Sequence, residues 1–228
     1  PFVEPSGRAV WHSFGTLMGE AAARVLQITP DEIQIGVRPM RDSFGRVQGE
    51  VFIYDDVPGG AGYARAIHDN LKEVAELALD MGKHCPNKDC AGACYHCLLG
   101  YRNQRIHNLL DRNLGVAVLD YLLKNRRPDL PEEQRTGLVG GLTEYLRSGW
   151  RLLDPGQSPK PFSAVFETGG REQVGIHPVH PLSARPGAGT LAQLLETTGI
   201  LPKIYTSFDL LRRPFWVANQ LFQASRRG

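Results

Sequence analysis

Apolar positions recur every three to four residues at the start of the chain. Val10, Phe14, Leu17, Met18, Ala21, Val25 and Leu26 fall on one stripe, which predicts a helix over 10–26 that Thr29-Pro30 stops. The period then shortens to two. Ile33-Gln34-Ile35-Gly36-Val37 alternates and is β-branched, Ser43-Phe44-Gly45-Arg46 reads as a turn, and Glu50 to Asp55 reads as the return strand of a hairpin. Helical spacing resumes over about 61–81 with Ala64, Ile67, Leu71, Val74, Ala75 and Ala78. It appears again over 105–124 with Ile106, Leu109, Leu110, Leu114, Val118, Leu119 and Leu122.

Pro128 and Pro131 break this pattern, and a short helix is expected over 132–147. A stretch rich in turn formers runs from Ser148-Gly149 to Ser158-Pro159. Beyond it, 163–168 and 172–176 around Gly169-Gly170 read as a second hairpin. Leu191–Glu196 reads as a short helix, 203–206 as a strand and 216–223 as a closing helix. The predicted class is α+β: helices packed on a small antiparallel sheet, with a cysteine knuckle, then a small β-leaning C-terminal unit. The expected division is 1–147 and 150–228.

Composition narrows the function. The chain has 228 residues, 42% of them hydrophobic, enough to bury a core without disulfides. Lys+Arg number 26 against 24 Asp+Glu, a net +2, so any nucleic-acid contact must come from a local patch. The apolar runs fall well short of the roughly 20 residues that span a bilayer. The opening Pro1-Phe2-Val3-Glu4-Pro5 has neither the basic nor the apolar region of a signal peptide, and it reads as part of a longer or processed polypeptide.

All four cysteines lie within one window, Cys85, Cys90, Cys94 and Cys97, spaced C-x4-C-x3-C-x2-C. A secreted disulfide framework would scatter them. Four soft thiolates on a tight loop suit a closed tetrahedral zinc site, and Pro86 and Gly92 suit its turns. Such an ion would fold the loop. An iron–sulfur cluster also uses four cysteines, but in the plant-type pattern the fourth is remote. Redox disulfides and free thiols are the remaining readings. His84 and His96 flank the ligands as exposed or outer imidazoles, or as substitutes for a thiolate.

Other groups are weaker candidates. Asp55-Asp56-Val57-Pro58-Gly59-Gly60-Ala61-Gly62 sits between a strand and a helix, as phosphate loops do, but lacks both the Walker and the dinucleotide patterns. Gly59, Gly60 and Gly62 are expected to permit positive φ, and the acids to cap the helix. His177 and His180 stand between prolines, which denies them a helix. Glu167 and Glu172 flank a hairpin turn without the lysine that a nuclease carboxylate pair expects. After the knuckle, 98–127 carries six basic residues and two acids, a local +4. Within it Arg102, Asn103, Gln104, Arg105, His107 and Arg112 are donors of the kind that contact phosphates. Arg212 and Arg213 stand beside Phe215 and Trp216, either as a base-stacking patch or as core aromatics with exposed cations.

Taken in order, these motifs resemble a known family. Trp11-His12-Ser13-Phe14, then Tyr54-Asp55-Asp56-Val57-Pro58-Gly59-Gly60-Ala61-Gly62, then the four-cysteine knuckle, then Cys97-Leu98-Leu99-Gly100-Tyr101-Arg102-Asn103-Gln104 with His107, Leu110, Asp111 and Arg112, are similar to the MrfA-type zinc-binding domain. That domain ends many bacterial superfamily-two DEAD/DEAH-type helicases and occurs in subunits of anti-phage systems such as DISARM and Druantia. The likeness covers residues 8–125 and does not extend to 150–228, which read as an extra C-terminal unit. It implies structural zinc on Cys85, Cys90, Cys94 and Cys97, and a place beside an ATP-driven motor acting on DNA, single-stranded or duplex with a single-stranded tail, in the bacterial cytoplasm. No Walker A, DExH box or arginine-finger motif is present, so the motor is expected upstream or in a partner subunit, and the chain itself is not expected to hydrolyse ATP. The competing expectations are a scaffold whose zinc module docks proteins, and a nuclease using the 163–177 hairpin.

Overall fold

The first apolar stripe forms a helix longer than its spacing predicts. In the computed structural model, which describes residues 3–45, 47–146, 150–153, 158–168 and 172–224, α1 spans Pro5–Leu26. Pro5 is tolerated in its first turn, where an N–H would lack an intrahelical partner anyway. Ala9, Val10, Leu17, Met18, Ala21 and Ala22 are all buried, so α1 is covered on several sides. The chain divides into two compact units, Pro1–Pro128 and Asp129–Gly228.

In the first unit, strands β1 (Ile33–Arg41) and β2 (Val47–Asp55) pair antiparallel, with Ile33 opposite Asp55 and Gly36 opposite Phe52. One face of this ribbon rests on α1. Contact there is close: a Cβ on Gly19 would stand 2.6 Å from the Ile35 side chain. The helix expected over 61–81 is two, α2 (Tyr63–Asp69) and α3 (Leu71–Lys83). Asn70 breaks them apart, with non-helical backbone and a side-chain Nδ2 that donates to the Ala66 carbonyl.

The helix expected over 105–124 is also divided. Tyr101–Leu109 is a 3-10 helix, Leu110 is extended, and α4 (Arg112–Lys124) starts after Asp111, whose carboxylate accepts from the Asn113 N–H. Buried Ser13 of α1 fixes that break, because its Oγ accepts from the Asp111 N–H at 2.8 Å. α1, α3 and α4 enclose the core of this unit, which includes Leu17, Val74, Leu79, Leu98, Leu110 and Leu119.

In the second unit, α5 (Glu132–Gly140) leads to a four-stranded sheet in the order β3-β4-β5-β6. β3 (Arg151–Leu152), β4 (Ala164–Glu167) and β5 (Gln173–Val179) are antiparallel neighbours. Helix α6 (Ala188–Thr198) carries the chain across, so β6 (Leu201–Thr206) pairs parallel to β5. Two helices follow where one was expected, α7 (Ser207–Arg212) and α8 (Pro214–Ala224). Thr206 caps α7 by accepting from the Asp209 N–H.

The boundary expected at 147–150 lies inside this second unit, because Val139 and Leu142 are buried in one cluster with Phe166, Ile176, Val217 and Leu221. Arg46 of the first turn, the Gly169-Gly170 turn and parts of the expected linker lie outside the described residues. Among the described residues no helix is long and apolar enough to cross a membrane.

Candidate metal centre and its basic flank

The knuckle follows the end of α3. Its backbone turns on itself: the Cys94 carbonyl accepts from the N–H groups of Cys97, Leu98 and Leu99 at 3.0 to 3.1 Å. This fold-back brings the four Sγ atoms of Cys85, Cys90, Cys94 and Cys97 within 4.8 Å of one another. Neighbouring pairs stand closer, Cys85–Cys94 at 3.6 Å, Cys94–Cys97 at 3.7 Å and Cys90–Cys97 at 3.8 Å. A tetrahedral zinc with arms of about 2.3 Å requires sulfur–sulfur edges of about 3.8 Å. The donor set therefore fits one structural zinc ion. His84 is held elsewhere, with its Nδ1 at 2.8 Å from Asp80 Oδ1.

The thiols are unequal. Burial pushes Cys97 up to about 12 and also raises Cys85. At Cys94 burial works in the same direction, but the His96 N–H and the neighbouring thiols donate to its sulfur and bring it down to about 7. Crowded sulfurs cannot all ionise unaided, and a divalent cation removes that penalty.

Beyond the knuckle, Asn103 ties the metal loop to the 3-10 helix. Its Nδ2 donates to the Leu98 carbonyl at 2.7 Å, and its Oδ1 accepts from the Gly100 N–H at 2.9 Å. His107 Nε2 donates to the same Oδ1 at 2.8 Å and to the Gly100 carbonyl at 3.0 Å. The Tyr95 ring of the knuckle meets His107 edge to face at 5.8 Å. Arg112 also works inward, with its N–H donating to the Gly92 carbonyl and its Nη1 to the Gly82 carbonyl.

The six basic-flank residues thus separate. Asn103, His107 and Arg112 direct their hydrogen bonds into the module, whereas Arg102, Gln104 and Arg105 face solvent. Arg102 pairs with Asp31 at 2.8 Å and Asp56 at 3.8 Å. The Arg105 side chain has no hydrogen bond or ion pair among the described residues. Both line an open groove of about 320 Å³, shared with His12, Thr16 and Glu20 of α1 and Gln34 of β1. Burial lowers the pKa of His12, with Arg8 adding to the effect, and raises that of Glu20 against the pull of Arg24. Both changes favour the neutral forms.

The glycine loop receives an internal anion. Gly59, Gly60 and Gly62 adopt φ of +84°, +72° and +82°, and the turn wraps the Asp55 carboxylate. Asp55 accepts from the N–H groups of Ala61, Gly62, Tyr63 and Ala64 at 2.6 to 3.1 Å. The Ala64 bond leads in holding this carboxyl below its usual range. The amides a phosphate would use are already engaged. Asp56 accepts from Gln34 and meets Arg102 rather than capping the helix.

In the second unit the weaker candidates do not converge. His177 Nδ1 donates to the Pro161 carbonyl, and His180 Nδ1 accepts from the Leu182 N–H. Glu167 pairs with Arg151. Arg213 lies 4.2 Å from the centre of the Trp216 ring, which meets Tyr205 edge to face. Among the described residues the four cysteines form the one cluster of three or more His, Cys, Asp or Glu side chains able to hold a metal.

The sequence comparisons agree with this centre. Residues 14–98 match the MrfA Zn-binding domain. The matched segment contains the C-terminal part of α1, the β-ribbon, the glycine loop and all four cysteines, so the first unit is a zinc-binding module. The Druantia protein DruE of Escherichia coli (strain UMEA 4076-1) is 34% identical over 123 residues, covering 51% of this chain and 6% of DruE. An uncharacterized protein of Methanocaldococcus jannaschii, MJ1572.1, is 29% identical over 73 residues, covering 32% of this chain and 62% of that protein. The chain thus spans a small part of DruE and somewhat under two thirds of MJ1572.1. No solved structure matches the chain.

Sequence reasoning found the cysteines, the glycine loop and the arginines. It missed what Ser13 does, although Ser13 stands within a motif it singled out, because its partner Asp111 is 98 residues away.

Proposed function

We propose that the chain is a non-catalytic, zinc-ordered module of a larger ATP-driven machine acting on DNA, in anti-phage defence or DNA repair. The zinc holds the knuckle, the knuckle holds the Asn103–His107 bonds, and those bonds set the Tyr101–Leu109 segment so that Arg102, Gln104 and Arg105 project together. That coupling of a metal loop to three outward donors carries the reading. The size of DruE against this chain supports a place within a larger protein, with the motor in the same polypeptide or a partner subunit. Exposed arginines beside a groove make sequence-independent contacts with phosphates, whose strength depends on salt.

The test is a salt titration of fluorescence anisotropy with a labelled DNA carrying a single-stranded tail. Arg102→Ala with Arg105→Ala lowers affinity and flattens the salt slope by about 0.7 for each single-strand phosphate that is no longer neutralised. Unchanged affinity and slope overturn the reading. Failure to bind a motor subunit, with DNA affinity unchanged, establishes a protein-docking scaffold instead.

A further inference from the structure

The β1–β2 ribbon uses one face in the core and leaves the other bare. Ile35, Val37 and Val51 point at α1. The opposite face carries Arg38, Met40, Phe52 and Tyr54, with the two rings 39% and 47% exposed. Phe52 pairs across the ribbon with Gly36, and a Cβ on Gly36 would stand 2.0 Å from the Phe52 ring. The ring therefore lies down over bare backbone, a position that any larger residue at 36 forbids. The Tyr54 ring is tilted from it by only 25°, with centroids 5.9 Å apart. Arg38 sets its guanidinium 5.3 Å from the Phe52 ring centre and pairs with Glu50.

We infer that this face stacks the unpaired bases of a single-stranded nucleic acid. Every base offers a π-face to rings presented in this way, and sheets with exposed aromatics bind single strands by such stacking. Cations stand at both ends of the ring pair. At the Tyr54 end, its cross-strand partner Gln34 donates to Asp56, which meets Arg102. At the hairpin end the cation is Arg38, on the same face as the rings and beside Phe52. The carboxylates on Arg102 are exposed, so exchanging them for phosphates costs little. A protein partner fits less well. Two rings and Met40, bounded by Arg38, Glu50 and Gln48, make a narrow strip beside the roughly 800 Å² per partner of a stable interface.

The inference rests on the nucleic-acid reading above and adds the strand form that is bound. Anisotropy with the full chain compares a labelled single strand, the same sequence as duplex, and a single strand of equal length made of abasic units. Phe52→Leu with Tyr54→Leu keeps an apolar cover over Gly36 and removes the π-faces. Single-strand affinity then falls about tenfold or more, duplex affinity stays, and the wild-type protein binds the abasic strand as weakly as the variant binds the natural one. Equal wild-type affinity for natural and abasic strands overturns the inference without help from any variant. A variant that binds the single strand like wild type, while Arg102→Ala with Arg105→Ala still weakens DNA binding, overturns the stacking face alone. Wild-type protein that binds no DNA in any form overturns the nucleic-acid reading and this inference with it.

Discussion

Asn103 is the side chain on which the coupling between the metal loop and the basic segment depends most. Replacing it with alanine removes three hydrogen bonds, from Asn103 to the Leu98 carbonyl and to Asn103 from the Gly100 N–H and His107 Nε2. A typical intramolecular hydrogen bond contributes about 1 kcal/mol net, and a buried partner left without one costs more. Leu98 is 2% exposed, so water reaches its carbonyl poorly, while the Gly100 N–H is better placed to recover a bond. The expected loss for Asn103→Ala is therefore about 2–3 kcal/mol. Gln104 is the internal control: it is adjacent and exposed, and its side chain makes no hydrogen bond among the described residues. Gln104→Ala should cost less than about 0.5 kcal/mol. Urea unfolding of the zinc-loaded protein, followed by far-UV circular dichroism, measures both. Equal midpoints for the two variants, or Asn103→Ala within about 0.5 kcal/mol of wild type, would show that these bonds do not hold the segment.

Three other outcomes are expected. Zinc affinity should fall steeply as pH drops from 8 to 6, because metal binding must displace protons from Cys85 and Cys97, both raised, and partly from Cys94, near 7; competition with a chromophoric chelator reads this, and a flat profile would contradict it. His180 is buried, its Nδ1 accepts from the Leu182 N–H, and burial lowers its pKa to about 4. The unfolded chain thus binds more protons than the folded one between pH 6.5 and 4, so the second unit is fully stabilised above 6.5 and loses about 3 kcal/mol as pH falls through that window; His180→Gln should abolish that part of the pH dependence of urea unfolding. Leu17→Ala empties a fully buried site between α1 and α4 and should cost about 2–5 kcal/mol by the same unfolding assay.

Much of the architecture was legible because its signals are local. The 3.6-residue stripe of α1, the alternation of 33–37 and the thirteen-residue cysteine window each announce themselves within one element. The breaks were less legible. Nothing in the apolar spacing of 61–81 or 105–124 marks an interruption, because the helices on either side of each break keep burying residues in the same core. The decisive groups are polar, namely Asn70 folding back on Ala66 and Ser13 reaching Asp111 from the far end of the unit. The basic flank was legible as composition but not as roles. Arg, Asn and His look alike as donors in a sequence, and only the fold shows that Asn103 and His107 brace the loop while Arg105 is left facing the groove. The unit boundary was misplaced for a related reason. Proline and glycine near 148–159 resemble a linker, yet Val139 and Leu142 already belong to the second core.

The metal itself is the most direct test. X-ray absorption at the zinc edge, together with elemental analysis of the purified chain, should return one zinc per chain with four sulfur neighbours at about 2.3 Å. Iron in its place, fewer than four sulfurs, or a protein whose first unit unfolds at the same urea concentration after the metal is stripped would contradict a structural zinc on Cys85, Cys90, Cys94 and Cys97.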